Sequence, residues 1–293
     1  RELLFRSQDA MTRYISGVIL FDETIRQKAV DGTTLVDLIR QSGSVPGIKV
    51  DAGAKPLAGF PGETITEGLD GLRERLAEYY ALGARFAKWR AVIAISDSLP
   101  NAYPVAANAE ALARYASLCQ EAKIVPIVEP EVVMDGAPGD HSIERCYEVT
   151  QFTLRKVFAA LAAARVDLEG MVLKPNMVID GAHARKASVA EVAEKTIHCF
   201  RTVVPAAVPG IAFLSGGQRD EEATAHLSAM IAGHDLPWTL TFSYGRALQA
   251  ACLSAWGGQA ENVVAGQNAF AHRARMNGLA AMGQWTADLE KAA

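Results

Sequence analysis

Cysteine is scarce. The 293 residues hold four, Cys119, Cys146, Cys199 and Cys252, widely spaced and without a CxxC pair or a Cys/His cluster. Neither a disulfide framework nor a zinc site fits that spacing, and a reducing cytoplasm is the simplest setting. The six histidines are equally scattered and show no metal-ligand spacing, so they read as surface or structural residues. A dominant charge sign is missing as well. Twenty-nine basic against 33 acidic residues leave a formal charge of −4, which implies no general attraction to nucleic acid or to an acidic membrane. No stretch reads as a transmembrane span or a secretory signal. There is no linker, no low-complexity segment and no break in composition, which argues for one domain over 1–293 rather than two.

Half of the residues are hydrophobic and 21% are charged, enough for a large core. Seven strand-like segments recur at 17–21, 47–51, 86–92, 124–131, 170–178, 211–215 and 239–244. Helix-like segments alternate with them, at 68–82, 106–122 and 142–165, and another opens at Ser188 with Glu191 three residues on, a capping-box pattern. Strand–helix repeats of this kind build a parallel sheet. The GxGxxG dinucleotide fingerprint follows none of the strands, so a (β/α)8 barrel is expected before a doubly wound sheet. Only seven of its eight strands can be counted, and the chain starts at Arg1 inside a helix-like run.

Charges on the strands carry the chemistry. Lys174 sits within the apolar segment 170–178. One lysine at a strand end usually snorkels to solvent, but a lysine between two covered faces is pushed toward its neutral form, the nucleophile of a Schiff-base enzyme. Strand alternation places Phe86, Lys88 and Arg90 on one face, and Val125, Ile127, Glu129 and Glu131 on one face. Lys49 and Asp51 pair likewise near the end of their strand. Such groups would converge at the carboxyl ends of the strands, where barrel enzymes work. A neutral Lys174 attacking a ketone, Glu129 or Glu131 moving protons, and Lys88 lowering the lysine pKa would make a carbon–carbon lyase site. The competing reading is an ion-pair network that only ties strands together. Two glycine-bearing loops end the last two strands, Ser215-Gly216-Gly217-Gln218 and Ser243-Tyr244-Gly245-Arg246. They fall where barrels often bind phosphate, with Arg246 available for a bidentate contact. Trp89, Trp238 and Trp256 read as packing residues.

Long stretches resemble the class I, Schiff-base fructose-1,6-bisphosphate aldolases: GVILFDET (17–24), GIKVDAG (47–53), PLAGFPGETITEGLDGL (56–72), FAKWR (86–90), LARYASLCQEAKIVPIVEPE (112–131), LKPNMV (173–178), FLSGGQ (213–218) and LTFSYGRALQA (240–250). The resemblance implies Lys174 as the Schiff-base lysine and Glu129 as principal acid/base, with Glu131 beside it. It implies Lys88 and Arg90 in proton transfer and hydroxyl binding, Lys49 near the 6-phosphate, and Ser215, Gly216, Gly217, Ser243, Gly245 and Arg246 around the 1-phosphate. Asp51 and Tyr244 join the substrate-binding set by their place in these motifs. No metal or other cofactor is implied. The expected partner is a phosphorylated sugar, with no nucleic acid and no membrane. The family's assembly is a homotetramer. A cytoplasmic location is expected, or a plastid if a transit peptide lies upstream. Two of the family's features are not found: an earlier strand with an ADES-type motif, and the carboxyl tail, since the chain stops at Glu290-Lys291-Ala292-Ala293. An aldolase for another phosphosugar, or a barrel fragment that only binds phosphosugars or a protein, are the alternatives.

Overall fold

The computed structural model describes residues 1–134 and 139–291; Ala292 and Ala293 lie outside them. Nine strands occur among the described residues: β1 (Gly17–Leu20), β2 (Val45–Lys49), β3 (Gly53–Pro56), β4 (Thr64–Glu67), β5 (Phe86–Ile93), β6 (Val125–Val132), β7 (Val172–Leu173), β8 (Gly210–Phe213) and β9 (Thr239–Phe242). Seven form one parallel sheet in the order β1-β2-β5-β6-β7-β8-β9. Helices connect the successive strands, as parallel pairing demands, so the architecture is the expected α/β barrel type. The sheet curls until β1 and β9 line one cavity, although no hydrogen bonds join them.

The curl is visible in one side chain. Phe86 opens β5 on the inward face, and its ring lies across the starts of β1 and β2. A Cβ on Gly47 would come within 2.3 Å of that ring, and one on Gly17 within 2.9 Å. Glycine at both positions is what lets the aromatic ring fill the amino-terminal end. The outward face packs on helices. Trp89 is fully buried and sits 5.6 Å, centroid to centroid, from Tyr115 of the helix Ala102–Glu121. Trp238 is buried as expected, whereas Trp256 is only half-buried. The four cysteines are buried and unpaired.

Three local expectations need correction. β7 pairs over only two residues, so Lys174 follows the strand instead of sitting inside it. Pro175 is the cause: it has no N–H to continue the ladder. Asn176 consequently leaves the barrel face and ties the end of β6 to the helix Ile143–Ala163, accepting from the Val132 N–H at 3.1 Å and donating to Thr150 Oγ1 at 3.0 Å. The capping box at Ser188 is half formed. Ser188 Oγ accepts from the Glu191 N–H at 3.2 Å, but the Glu191 carboxylate takes Arg185 at 2.6 Å instead. The antiparallel hairpin β3–β4, absent from the strand count above, lies within 53–67, between β2 and the helix Leu72–Ala81.

Trp89 on β5 sets the sheet-to-helix spacing beside the charged residues. Trp89→Ala is expected to lower stability by about 3–5 kcal/mol, read as a fall in the urea midpoint without a matching change of slope.

Candidate active site

The parallel register brings the charged side chains together. Lys49 pairs with Lys88 across β2 and β5, and Arg90 with Glu129 across β5 and β6. Lys174 stands one residue beyond the β6–β7 pairing of Val128 with Leu173, and its N–H still donates to Val128 O at 2.8 Å. The three sequence motifs thus meet at the carboxyl ends of adjacent strands.

Glu129 is at the centre. Its Oε1 lies 2.9 Å from Lys174 Nζ and its Oε2 lies 3.0 Å from Lys88 Nζ, with the carboxylate side chain 3% exposed and both lysines 10% exposed. Contacts that close, in so little water, are far stronger than a surface ion pair. Burial holds the Lys174 pKa below the ordinary 10.5; the neighbouring Lys88 charge pushes the same way, and Glu129 opposes both. The amine therefore gives up its proton more readily than a solvated lysine, and the carboxylate 2.9 Å away stands ready to receive it.

A second layer surrounds this centre. Glu131, also buried, accepts from Arg90 Nε. Asp51 was expected to contact substrate, but both oxygens of its buried carboxylate already have protein donors. Oδ1 accepts from Lys49 Nζ at 2.6 Å and from the Gly53 N–H at 3.1 Å; Oδ2 accepts from the Arg90 N–H at 3.3 Å and stands 3.9 Å from Lys88 Nζ. It acts on the lysines. Lys49 itself is a quarter exposed and lies 5.8 Å from the centroid of Phe21. Phe21 was overlooked, although an aromatic side chain directly after β1, 58% exposed, is a signal worth reading.

The two glycine loops lie where the sequence placed them. A cavity of about 220 Å³ is lined by Lys174, by β1 and by residues 241–245, so the amine and the second loop share one space. In the first loop, a Cβ on Gly216 would lie 3.1 Å from Glu131 Oε1. Gly217 has φ +73°, and its Cβ would be 2.5 Å from Met134 Cβ, so only glycine makes this turn. Ser215 is buried and its carbonyl accepts from the Gln218 N–H at 3.2 Å. Two expected ligands are otherwise engaged. Tyr244 is buried and its hydroxyl donates to Ala223 O at 3.1 Å, leaving only backbone for the site. Arg246, half exposed, donates to Gln218 O at 2.6 Å and to Asp220 Oδ1 at 3.3 Å. Gln218, to which the sequence reading gave no role, is therefore what holds the arginine.

The family profile "Fructose-bisphosphate aldolase class-I" matches residues 1–293. The probable fructose-bisphosphate aldolase class 1 of Xanthomonas campestris pv. campestris is 57% identical over 287 residues, 97% of this chain and 85% of that protein. Fructose-bisphosphate aldolase C of Rattus norvegicus is 52% identical over 288 residues, 97% of this chain and 78% of the rat protein. A solved structure of fructose-bisphosphate aldolase from Plasmodium falciparum, in complex with TRAP and a small-molecule inhibitor, superposes with a TM-score of 0.94 at 46% identity, covering 97% of this chain and 82% of that one.

A lysine whose folded pKa is lowered binds its proton less tightly than it does in the unfolded chain. Between that lowered value and 10.5 the unfolded chain holds more protons, so stability gains from rising pH. Urea titrations from about pH 7 to about pH 10 should show the midpoint of the unsubstituted protein rising relative to that of Lys174→Met. Parallel curves would mean that Lys174 is solvated like any surface lysine.

Proposed function

Because the chain belongs to the class I fructose-bisphosphate aldolases, we propose that Lys174 is the residue on which it performs that family's reaction. The reaction is the reversible cleavage of fructose 1,6-bisphosphate to dihydroxyacetone phosphate and glyceraldehyde 3-phosphate through a lysine Schiff base. The family's chemistry rests on that covalent bond rather than on a metal.

The supporting observation is the Lys174–Glu129–Lys88 array, in which one buried carboxylate lies within 3.0 Å of both amines. Lys174 passes its proton to Glu129 and its lone pair adds to the substrate ketone. Glu129 returns that proton to the oxygen of the adduct, takes a second proton from the adduct nitrogen and delivers it to the carbinolamine hydroxyl, and water leaves. The resulting iminium accepts the electron pair of the breaking C3–C4 bond while a base takes the C4 hydroxyl proton. Glu129 is well placed for these transfers because its other oxygen stays against Lys88. Glu131, fixed by Arg90, is the second carboxylate of the site. The loops 215–218 and 243–246 cradle the 1-phosphate through backbone N–H groups, and Arg246, anchored by Gln218 O, offers its remaining donors to the anion. Lys49, held by Asp51, faces the 6-phosphate end.

The chain is read as one barrel domain that works as a homotetramer in the cytoplasm. Relatives from Spinacia oleracea and Pisum sativum are named cytoplasmic isozymes, and no described helix is long and apolar enough to cross a membrane.

Borohydride reduction in the presence of dihydroxyacetone phosphate should leave a three-carbon adduct on Lys174, found by peptide mass spectrometry, and Lys174→Met should abolish it. Glu129→Gln should lower kcat for cleavage by about 10²–10⁴-fold, the usual range for loss of a positioned acid/base. An adduct on another lysine would overturn the assignment.

A further inference from the structure

One helix braces both phosphate loops. The helix Asp220–Ala232 presents Asp220, Ala223 and His226 at three-residue spacing, hence on one face. Each touches the loops from behind. Asp220 accepts from Arg246 at 3.3 Å, Ala223 O accepts from the Tyr244 hydroxyl at 3.1 Å, and His226 Nδ1 lies 2.6 Å from Gln218 Oε1. Asp220 and Ala223 thus hold the second loop and His226 holds the first.

Gln218 is the point on which the cradle turns. Its N–H closes the turn onto Ser215 O at 3.2 Å, and its carbonyl accepts Arg246 Nη2 at 2.6 Å. Its side chain is 5% exposed, and the amide nitrogen has no partner among the described residues. The bond to His226 is what orients that buried amide. We infer that His226 is a positioning residue for the 1-phosphate subsite: through Gln218 it fixes the turn at 215–218 and the carbonyl that holds Arg246 beside the loop 243–246. His226 is itself buried, at 7% exposed. Burial pushes its pKa down to about 4, so the imidazole is neutral under working conditions and donates from Nδ1 to the glutamine oxygen. The charged groups around it are Glu222 and Lys186. Losing the donor strands a second polar atom of an already under-partnered amide, which then reorients and takes the turn with it. His226 lines a pocket with Gly217 and Gln218 and not the cavity that Lys174 lines, so the effect falls on binding of the phosphate.

This inference rests on the reading of Lys174 and the two loops given above, and the test separates the two. Lys174 is trapped with borohydride at graded concentrations of dihydroxyacetone phosphate and, separately, of dihydroxyacetone, which has the ketone but no phosphate. His226→Leu is expected to raise the half-saturating concentration of dihydroxyacetone phosphate about tenfold, the loss of one buried hydrogen bond. It should leave dihydroxyacetone trapping unchanged. In cleavage of fructose 1,6-bisphosphate the same variant should raise KM and leave kcat within about threefold. His226→Asn, whose amide can donate to the same oxygen, should recover most of the loss. The inference is overturned if His226→Leu binds dihydroxyacetone phosphate normally, if both ketones weaken alike, or if the asparagine variant behaves like leucine. Failure of the unsubstituted protein to form any adduct would sink the aldolase assignment of Lys174, and this inference with it.

Discussion

One carboxylate shared between two ammonium groups governs this site. Burying a charged group is costly unless an opposite charge sits against it. Lys88 and Glu129 on adjacent strands and Lys174 just past the end of the next one therefore fix one another, and the alternation continues outward to Asp51 and Lys49. Truncating a member leaves an uncompensated charge, so the array is sensitive to change out of proportion to its size. The same closeness serves chemistry. Burial and Lys88 draw the Lys174 pKa down while the carboxylate beside it pulls the other way, so one array both loosens the amine's proton and supplies a nearby acceptor for it.

Much of this was legible in the chain itself. Strand periodicity placed Lys88, Arg90, Glu129 and Glu131 on inward faces, and the parallel register brought them together. The ordered motifs supplied the family, which the comparisons establish. What periodicity missed was governed by interactions at a distance. Pro175 ended β7 two residues after it began, so strand logic failed for Asn176. The β3–β4 hairpin has four residues per strand and is largely exposed, with Ile65 its one large aliphatic residue, so it carries too little apolar alternation to be recognised. Asp51 and Tyr244 fall in the expected neighbourhood, and only the fold reveals that Gly53, Arg90 and Ala223 hold their polar atoms. Gln218 and His226 are eight residues apart and look unrelated in sequence.

The two halves of the site are built on different principles. The carboxylates project from a strand and the amine stands one residue past the end of the next, where backbone pairing gives each side chain a defined origin. The two glycine loops rest on turns whose shape no strand enforces, and they lean on a helix behind them. Electrostatics orders the first half and hydrogen bonding to buried polar groups orders the second. The meeting point is Gly216, close enough to Glu131 that a larger residue would press on the acid.

The ring of Phe86, laid over Gly17 and Gly47, gives the barrel a floor. That floor is carbon against backbone, so the polar side chains that can address a small molecule are gathered toward the carboxyl ends of the strands. A stiff aromatic ring lodged between two glycines thus helps to decide which end of the sheet is given to chemistry.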